Sequence, residues 1–259
     1  MTTETRTLDT ADLEARVKDM YTEVADHPHN EFHFETGRQL AERLGYPASE
    51  LDAIPADAID SFAGVGYYFD LANLQPGQTV VDLGSGSGMD SFLAAHQVTG
   101  GQLIGVDFTD AQLDKSRRLA ADAGITNTDF RKAYIEQPPV DDNSVDCVIS
   151  SGVFNLSPDK PAVFEAIARI LKPGGRLAFA DIITGIPLPE GVTCDAALWA
   201  ACIGGAMQKD AFVAAIENAG LTVETVRPND QYKFLSQRAD DATTKYQVSS
   251  VSILATKPA

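Results

Sequence analysis

The stretch Val80-Val81-Asp82-Leu83-Gly84-Ser85-Gly86-Ser87-Gly88-Met89 decides how the rest of the chain is read. Its apolar, β-branched start predicts a short buried strand over about Thr79–Leu83. Glycine then alternates with serine up to Met89, where a helix is expected to begin. Glycine at every second position frees the backbone for positive φ and lets a ligand lie against bare main chain. The helix N-terminus behind it offers unpaired N–H groups to a negative ligand group. Together these features describe a cradle for a nucleotide-type cofactor.

Downstream of the cradle, strands and helices alternate. Helix Asp90–Val98 leads to strand Gln102–Val106, which ends in Asp107. Thr109 with Gln112 reads as a capping box for a helix closed by Gly124. Weak and strong strands follow at Asp129–Ala133 and Ser144–Ser150. Ser157-Pro158 is expected to open a helix that runs to Lys172-Pro173-Gly174-Gly175, and Arg176–Ile183 is the next strand. Upstream, Asp9 or Thr10 caps a helix with apolar residues at helical spacing from Leu13 to Val24. Thr36 with Gln39 reads as a further capping box. Ser61–Phe69, rich in glycine and aromatics, reads as a mobile or tightly turned segment over a ligand. Beyond Asp181 come a proline-rich loop, an apolar stretch Cys194–Ala206 broken at Gly204-Gly205, helix Lys209–Asn218, and strands Leu221–Val226 and Val248–Ala255. Regular alternation predicts an α/β fold, doubly wound, with a mostly parallel sheet covered on both faces.

Length and charge narrow the function classes. The 259 residues suffice for one large α/β domain with additions. The net charge of −17 argues against nucleic acid or an anionic membrane as partner. The N-terminus lacks a signal-peptide pattern, and no apolar run approaches a membrane span. Three cysteines, Cys147, Cys194 and Cys202, form no disulfide framework, so a reducing cytoplasm is the expected setting.

The cradle could hold a dinucleotide or S-adenosylmethionine, since both use glycine loops and an acidic residue after the second strand. The dinucleotide fingerprint places its third glycine three residues after the second. Here Gly86 and Gly88 are two apart, and Asp82 sits just before the loop, where it would face a cationic amine. Only one nucleotide half is evident. The motif Lys172-Pro173-Gly174-Gly175 before a strand, with a late antiparallel pair, fits S-adenosylmethionine.

Val80–Met89, Gly105-Val106-Asp107, Asp146–Ile149 and Leu171–Leu177 resemble the successive motifs of class I S-adenosylmethionine-dependent methyltransferases. The resemblance implies a Rossmann-like fold with a seven-stranded sheet, an N-terminal helical cap and an insertion near the C-terminus. It divides the chain into a cap or lid at 1–63, a cofactor-binding core at 64–184, and a substrate-side insertion with closing strands at 185–259. It also implies residue roles. Asp82, Gly84, Ser85, Gly86, Gly88 and Met89 would hold the methionine portion. Asp107 would accept hydrogen bonds from the ribose hydroxyls, and Phe108 would flank the adenine. Ile135 and Glu136 would border the base, with Gln112 on the same side. Ser150 and Ser151 would end the fourth strand next to the reactive methyl.

A closer resemblance is carried by Gly105–Leu113, Tyr134-Ile135-Glu136, Val153–Lys160 and Cys202–Ala206. These runs look like the arsenite methyltransferase family, whose members bind trivalent arsenic through cysteine thiolates; soft ligands suit a soft centre. The family has cysteine in the loop after the fourth strand, where this chain has Gly152, and another before the cofactor domain, where Ser61–Phe69 has none. Only Cys202 falls on a family position. Two acceptor readings follow. One is an organic metabolite in an aromatic pocket lined by Phe34, Phe62, Tyr67, Phe154, Asn155 and Trp199, with Gly152 opening space for it. The other is arsenite or another thiophilic or thiol acceptor using Cys202. Binding of the cofactor without methyl transfer is a third, minor reading.

The expected chemistry is in-line displacement at the sulfonium methyl, with water excluded. Candidate catalytic residues are Cys202, His33 and Tyr21. No Asp–His or lysine pair announces a base. Three of the four histidines, His27, His29 and His33, cluster in a cap segment that reads as a lid, as surface, or as a metal site; no metal is assigned. The sequence leaves the oligomeric state open, a dimer included.

Overall fold

The computed structural model describes residues 8–195, 199, 203–235 and 244–259. Cys202, a proposed catalytic residue, lies outside the described residues. The strands are β1 (Thr79–Leu83), β2 (Gln102–Asp107), β3 (Thr128–Lys132), β4 (Val145–Ser151), β5 (Leu171–Thr184), β6 (Met207–Gln208), β7 (Thr222–Pro228) and β8 (Ser249–Thr256). Their order is β3-β2-β1-β4-β5-β8-β7, and β8 is antiparallel to both its neighbours. All other pairings are parallel. The expected seven strands form this path. The two-residue β6, which pairs with the end of β5, is an eighth that its length hides from any periodicity.

Alternate residues of the central strands feed two cores, as a doubly covered sheet requires. Val80, Cys147, Ile149 and Ala178 face one core with helix α6 (Met89–Gln97) and helix α7 (Asp110–Asp122). Four short helices before β1 complete that side: α2 (Arg38–Leu44), α3 (Ala48–Leu51), α4 (Ala56–Asp60) and α5 (Phe69–Ala72). Val81, Leu83, Val148 and Phe179 face the other, with α8 (Lys160–Ile170) and a later helix, α10 (Lys209–Asn218); the one-turn α9 (Glu190–Thr193) lies between these two in sequence. Helix α1 (Thr10–Asp26) is capped by Asp9, which accepts from the N–H groups of Ala11 and Asp12, as its sequence predicts.

The two predicted capping boxes do not form. Gly37 caps α2 with φ at 85°, while the Thr36 hydroxyl donates to Pro28 O. Thr109 precedes α7 without a side-chain cap, because Gln112 is drawn into other contacts. Helix α8 starts two residues later than expected, with Asp159 as its cap accepting from Ala162 N. Strand β5 begins at Leu171 rather than Arg176.

Ser61–Phe69 is held by buried hydrogen bonds. Val65 N–H donates to Ser151 Oγ, and Ser250 Oγ donates to Val65 O. Ser252 Oγ donates to Tyr67 O, and Asn229 joins both serines. A Cβ at Gly66 would lie 2.0 Å from Asn229 Nδ2, so only glycine permits this approach.

No helix among the described residues is long and apolar enough to cross a membrane. Between α1, α4 and α7 lies a second cavity of about 940 Å³, where Asp26, Asp57, Asp60, Asp110 and Asp114 outnumber Lys18, Lys115 and Arg118. Such crowding, within a chain of net charge −17, stores repulsion that salt screens. The melting temperature is therefore expected to rise between 0.1 and 1 M KCl, by about 2–4 °C per kcal/mol of repulsion removed. Scanning calorimetry across that range tests this, and an unchanged midpoint would refute it.

Candidate active site

The order of strands reverses between β1 and β4, and the crevice at their carboxyl ends is where open α/β sheets bind ligands. A cavity of about 600 Å³ opens there. Its floor is the loop after β1, in which Gly84, Gly86 and Gly88 all have positive φ. A Cβ on Gly84 would meet Val153 Cγ2 at 2.3 Å, so the loop can approach the β4 loop only as glycine.

Three of the carboxylates lining this cavity, Asp82, Asp90 and Asp107, are buried, and burial raises the pKa of each. Asp82 accepts from Ser91 Oγ at 2.6 Å. Desolvation, and then Asp90 beside it, push its pKa up to about 8. Asp90 accepts from Tyr68 Oη at 2.6 Å, and burial lifts it to about 6. Asp107 Oδ2 accepts from Gly86 N–H at 3.0 Å and Oδ1 from Thr109 N–H at 2.8 Å. Both its oxygens are thus oriented by backbone while keeping lone pairs for a ligand. Asp90 Oδ1 and Ser85 Oγ are buried without a hydrogen-bond partner among the described residues. The charges that raise Asp82 are other carboxylates. Such a floor fits a ligand bearing positive charge and hydrogen-bond donors.

Helix α1 forms the opposite wall with Leu13, Glu14, Val17 and Tyr21. Helix α7 fastens it: Gln112 Nε2 donates to Tyr21 O and Lys115 Nζ to Ala25 O, each at 2.8 Å. Gln112 Oε1 also accepts from Ser87 Oγ, joining wall and floor. Phe108 and Tyr134 lie 5.8 Å apart at the far end, with Lys18 5.3 Å above Phe108. Glu136 lines the cavity and accepts from Ser157 Oγ.

The model for the methyltransferase domain family matches residues 74–220. The chain belongs to that family. The fold and cavity are those of a class I methyltransferase domain, whose cofactor is S-adenosylmethionine. An arsenite methyltransferase of Halobacterium salinarum is 39% identical over 227 residues, which are 87% of this chain and 58% of the relative. The chain therefore spans somewhat over half of that relative's length. A ubiquinone/menaquinone biosynthesis C-methyltransferase of an Enterobacter species is 32% identical over 134 residues, covering 50% of this chain and 53% of that one. Among solved structures, an arsenic(III) S-adenosylmethionine methyltransferase from Chlamydomonas reinhardtii aligns with a TM-score of 0.62 and 27% identity, covering 86% of this chain and 74% of that one.

Within this methyltransferase domain, the residues singled out for the cofactor converge on the cavity: Asp82, Gly84, Ser85, Gly86, Gly88, Met89, Asp107, Phe108, Gln112, Ile135, Glu136 and Ser151 all line it. Ser150 does not line it; its hydroxyl donates to Leu83 O at 2.7 Å inside the sheet. Of the acceptor-side aromatics, Phe62 and Tyr21 line the cavity and the others do not. Phe154 is buried below the sheet against Phe164 and Phe179. Tyr67 packs edge-on against Tyr46. Phe34 stacks on Phe32 and meets His33 at its edge, outside the cavity. Asn155 and Trp199 are buried beside it. His27, His29 and His33 are exposed, and no group of three metal-ligating side chains occurs among the described residues. Cys147 is a core residue whose thiol burial pushes up to about 12.

Gly152 does not open space. A Cβ there would meet Val65 Cγ1 at 3.2 Å, because the strapped Ser61–Phe69 segment presses Val65 against it. Sequence reasoning also passed over Asp90 and a buried pair, Lys160 and Asp181. Asp181 had a visible signal: it is a lone carboxylate in the apolar strand Leu177–Ile183. Asp181 Oδ2 accepts from Phe154 N–H at 2.8 Å and Asn155 N–H at 3.2 Å, fixing the loop after β4.

Two predictions follow from the floor of the cavity. Asp82 is protonated at pH 7 in the free protein, and a bound cation favours its carboxylate, so S-adenosylmethionine binding releases a proton and tightens as pH rises from 6 toward 8. Calorimetry in buffers of different ionisation heat reads that proton, and Asp82→Asn should lose it; equal release in the variant would refute the assignment. Gly84→Ala should weaken cofactor binding by more than about tenfold, a cost of about 1.4 kcal/mol, from the clash with Val153 and the positive φ. Wild-type affinity in that variant would overturn the role given to the loop.

Proposed function

We propose that this chain transfers a methyl group from S-adenosylmethionine to a small organic acceptor. The observation that carries the proposal is the pair of buried carboxylates, Asp82 and Asp90, on a glycine floor, with no cation among the groups that shift the Asp82 pKa up or down. When bound, the cofactor supplies an electrophilic sulfonium methyl. Asp82 and Asp90 would take the positively charged methionine end, with the Gly84–Gly88 backbone beneath it. Asp107 would accept from the ribose hydroxyls, its orientation preset by Gly86 and Thr109. Phe108 would flank the adenine, and Ile135 and Glu136 would border its edge. Helix α1 excludes water over the cofactor, and Tyr21 and Phe62 bound the space left for the acceptor.

An acceptor whose nucleophile is already deprotonated near neutral pH needs no general base, which suits a cavity where no Asp–His or lysine pair announces one. The contact between Val65 and Gly152 favours an organic acceptor. It fills with a hydrocarbon side chain the place beside β4 where a thiolate would otherwise hold a soft centre. A second reading, methylation of arsenite or a thiol with Cys202, is favoured by the 39% identity to the Halobacterium arsenite methyltransferase.

Methyl transfer from labelled cofactor to a panel of arsenite, small thiols, amines and phenols separates the readings. The expected result is transfer to an organic member of the panel, unchanged in Cys202→Ser. Preferred arsenite turnover that Cys202→Ser abolishes would establish the second reading instead. Failure to bind S-adenosylmethionine would remove both.

A further inference from the structure

Lys160 opens α8, is 5% exposed, and takes no part in the cofactor contacts described above. Its Nζ donates to Ser157 O at 2.9 Å and Asn155 O at 3.4 Å. Asn155 is thus gripped from both sides, its N–H by Asp181 and its carbonyl by Lys160. The remaining face of the ammonium lies 4.7 Å from the ring centre of Trp199, within cation–π range. That indole is anchored in turn, its Nε1–H donating to Thr193 O at 2.7 Å. Its other neighbours are Leu13 and Val17 of α1, both of which line the cofactor cavity.

The Gly204-Gly205 break is part of the same seat. A Cβ on Gly204 would meet Trp199 Cδ1 at 2.4 Å, and one on Gly205 would meet Asn155 O at 1.8 Å and Trp199 Cε3 at 2.6 Å. The two glycines let main chain close over the indole and against the carbonyl that Lys160 holds. An apolar helix seam, a buried cation, a fixed indole and two obligatory glycines therefore converge beside the cavity.

We propose that Lys160 is a positioning residue: its buried ammonium seats Trp199, and Trp199 fastens α1 over the cofactor cavity. The seat joins the segment after β5, the loop after β4 and the wall that keeps water from the cofactor. Groups facing the ammonium are Asp181 from β5 and Glu136 from the loop after β3, with Asp159 beside it in sequence. Burial lowers the lysine pKa, and Asp181 and Glu136 oppose that shift. Loss of the proton would remove the attraction to the indole.

Trp199 is the chain's one tryptophan, so its emission reports this seat directly in the cofactor-free protein. Emission of the wild type should change in one alkaline step, below the ordinary lysine range near 10.4. Lys160→Met should lack that step and show α1 amides around Leu13 and Val17 exchanging about tenfold faster, a difference of about 1.4 kcal/mol. Lys160→Arg should keep the protection and lose the step, because guanidinium does not titrate in this range. Steps surviving in Lys160→Arg would belong to another group and overturn the assignment. Should Lys160→Met fail to fold, Trp199→Leu keeps an apolar side chain without the ring; wild-type α1 protection in that variant would equally overturn the proposal. The proposal rests on the cofactor reading only for its consequence, a looser hold on S-adenosylhomocysteine in Lys160→Met. A wild type that shows the step and yet binds no S-adenosylhomocysteine would sink the cofactor reading and leave the seat intact.

Discussion

Burial of acidic groups in one crevice is the constraint on which the rest of the site depends. Asp82 and Asp90 are each less than one-tenth exposed and would repel one another if both were ionised, which helps hold the proton on Asp82. Removing a carboxylate from water is costly unless it is protonated, hydrogen-bonded or paired. The fold supplies partial relief through Ser91 and Tyr68 and leaves the remainder to a ligand. Much of the surrounding architecture follows from keeping that crevice dry. The glycine loop brings backbone close beneath it, and α1 covers it.

The opposite side of the crevice uses both signs of charge. Asp181 accepts amide protons from the loop after β4, and Lys160 donates to carbonyls of the same loop. These bonds add to the anchoring that buried Phe154 gives the same loop. Losing either side chain would leave buried backbone groups of the loop without a partner, which makes both costly to lose.

Much of this was legible in the chain itself. The strand–glycine–helix unit at Thr79–Gln97 follows from local preferences, and glycine spacing with Asp82 and Asp107 distinguishes the cofactor. The alternation of apolar runs gives the sheet, and the late strands gave away its antiparallel edge. What escaped was long-range. The capping boxes at Thr36 and Thr109 obeyed the local rule, but tertiary partners claimed Thr36 and Gln112. Phe154 and Tyr67 are aromatic and near the right loops, yet a single 3-10 turn after β4 sends one into the core and packing holds the other against Tyr46. Gly152 looked like added room because no local pattern says that Val65 folds against it.

The buried bonds from Ser250 and Ser252 to the backbone of Val65 and Tyr67 have a consequence in time as well as in space. They join residues 185 positions apart. The segment that presses on Gly152 is made first, and the hydroxyls that fix it follow 185 residues later. Contacts so distant in sequence are slow to form, since loop closure must precede any gain. The glycine floor can assemble from neighbouring strands while translation proceeds, whereas the Ser61–Phe69 segment waits for β8. A nascent chain would thus form its glycine loop before the Ser61–Phe69 segment is fixed.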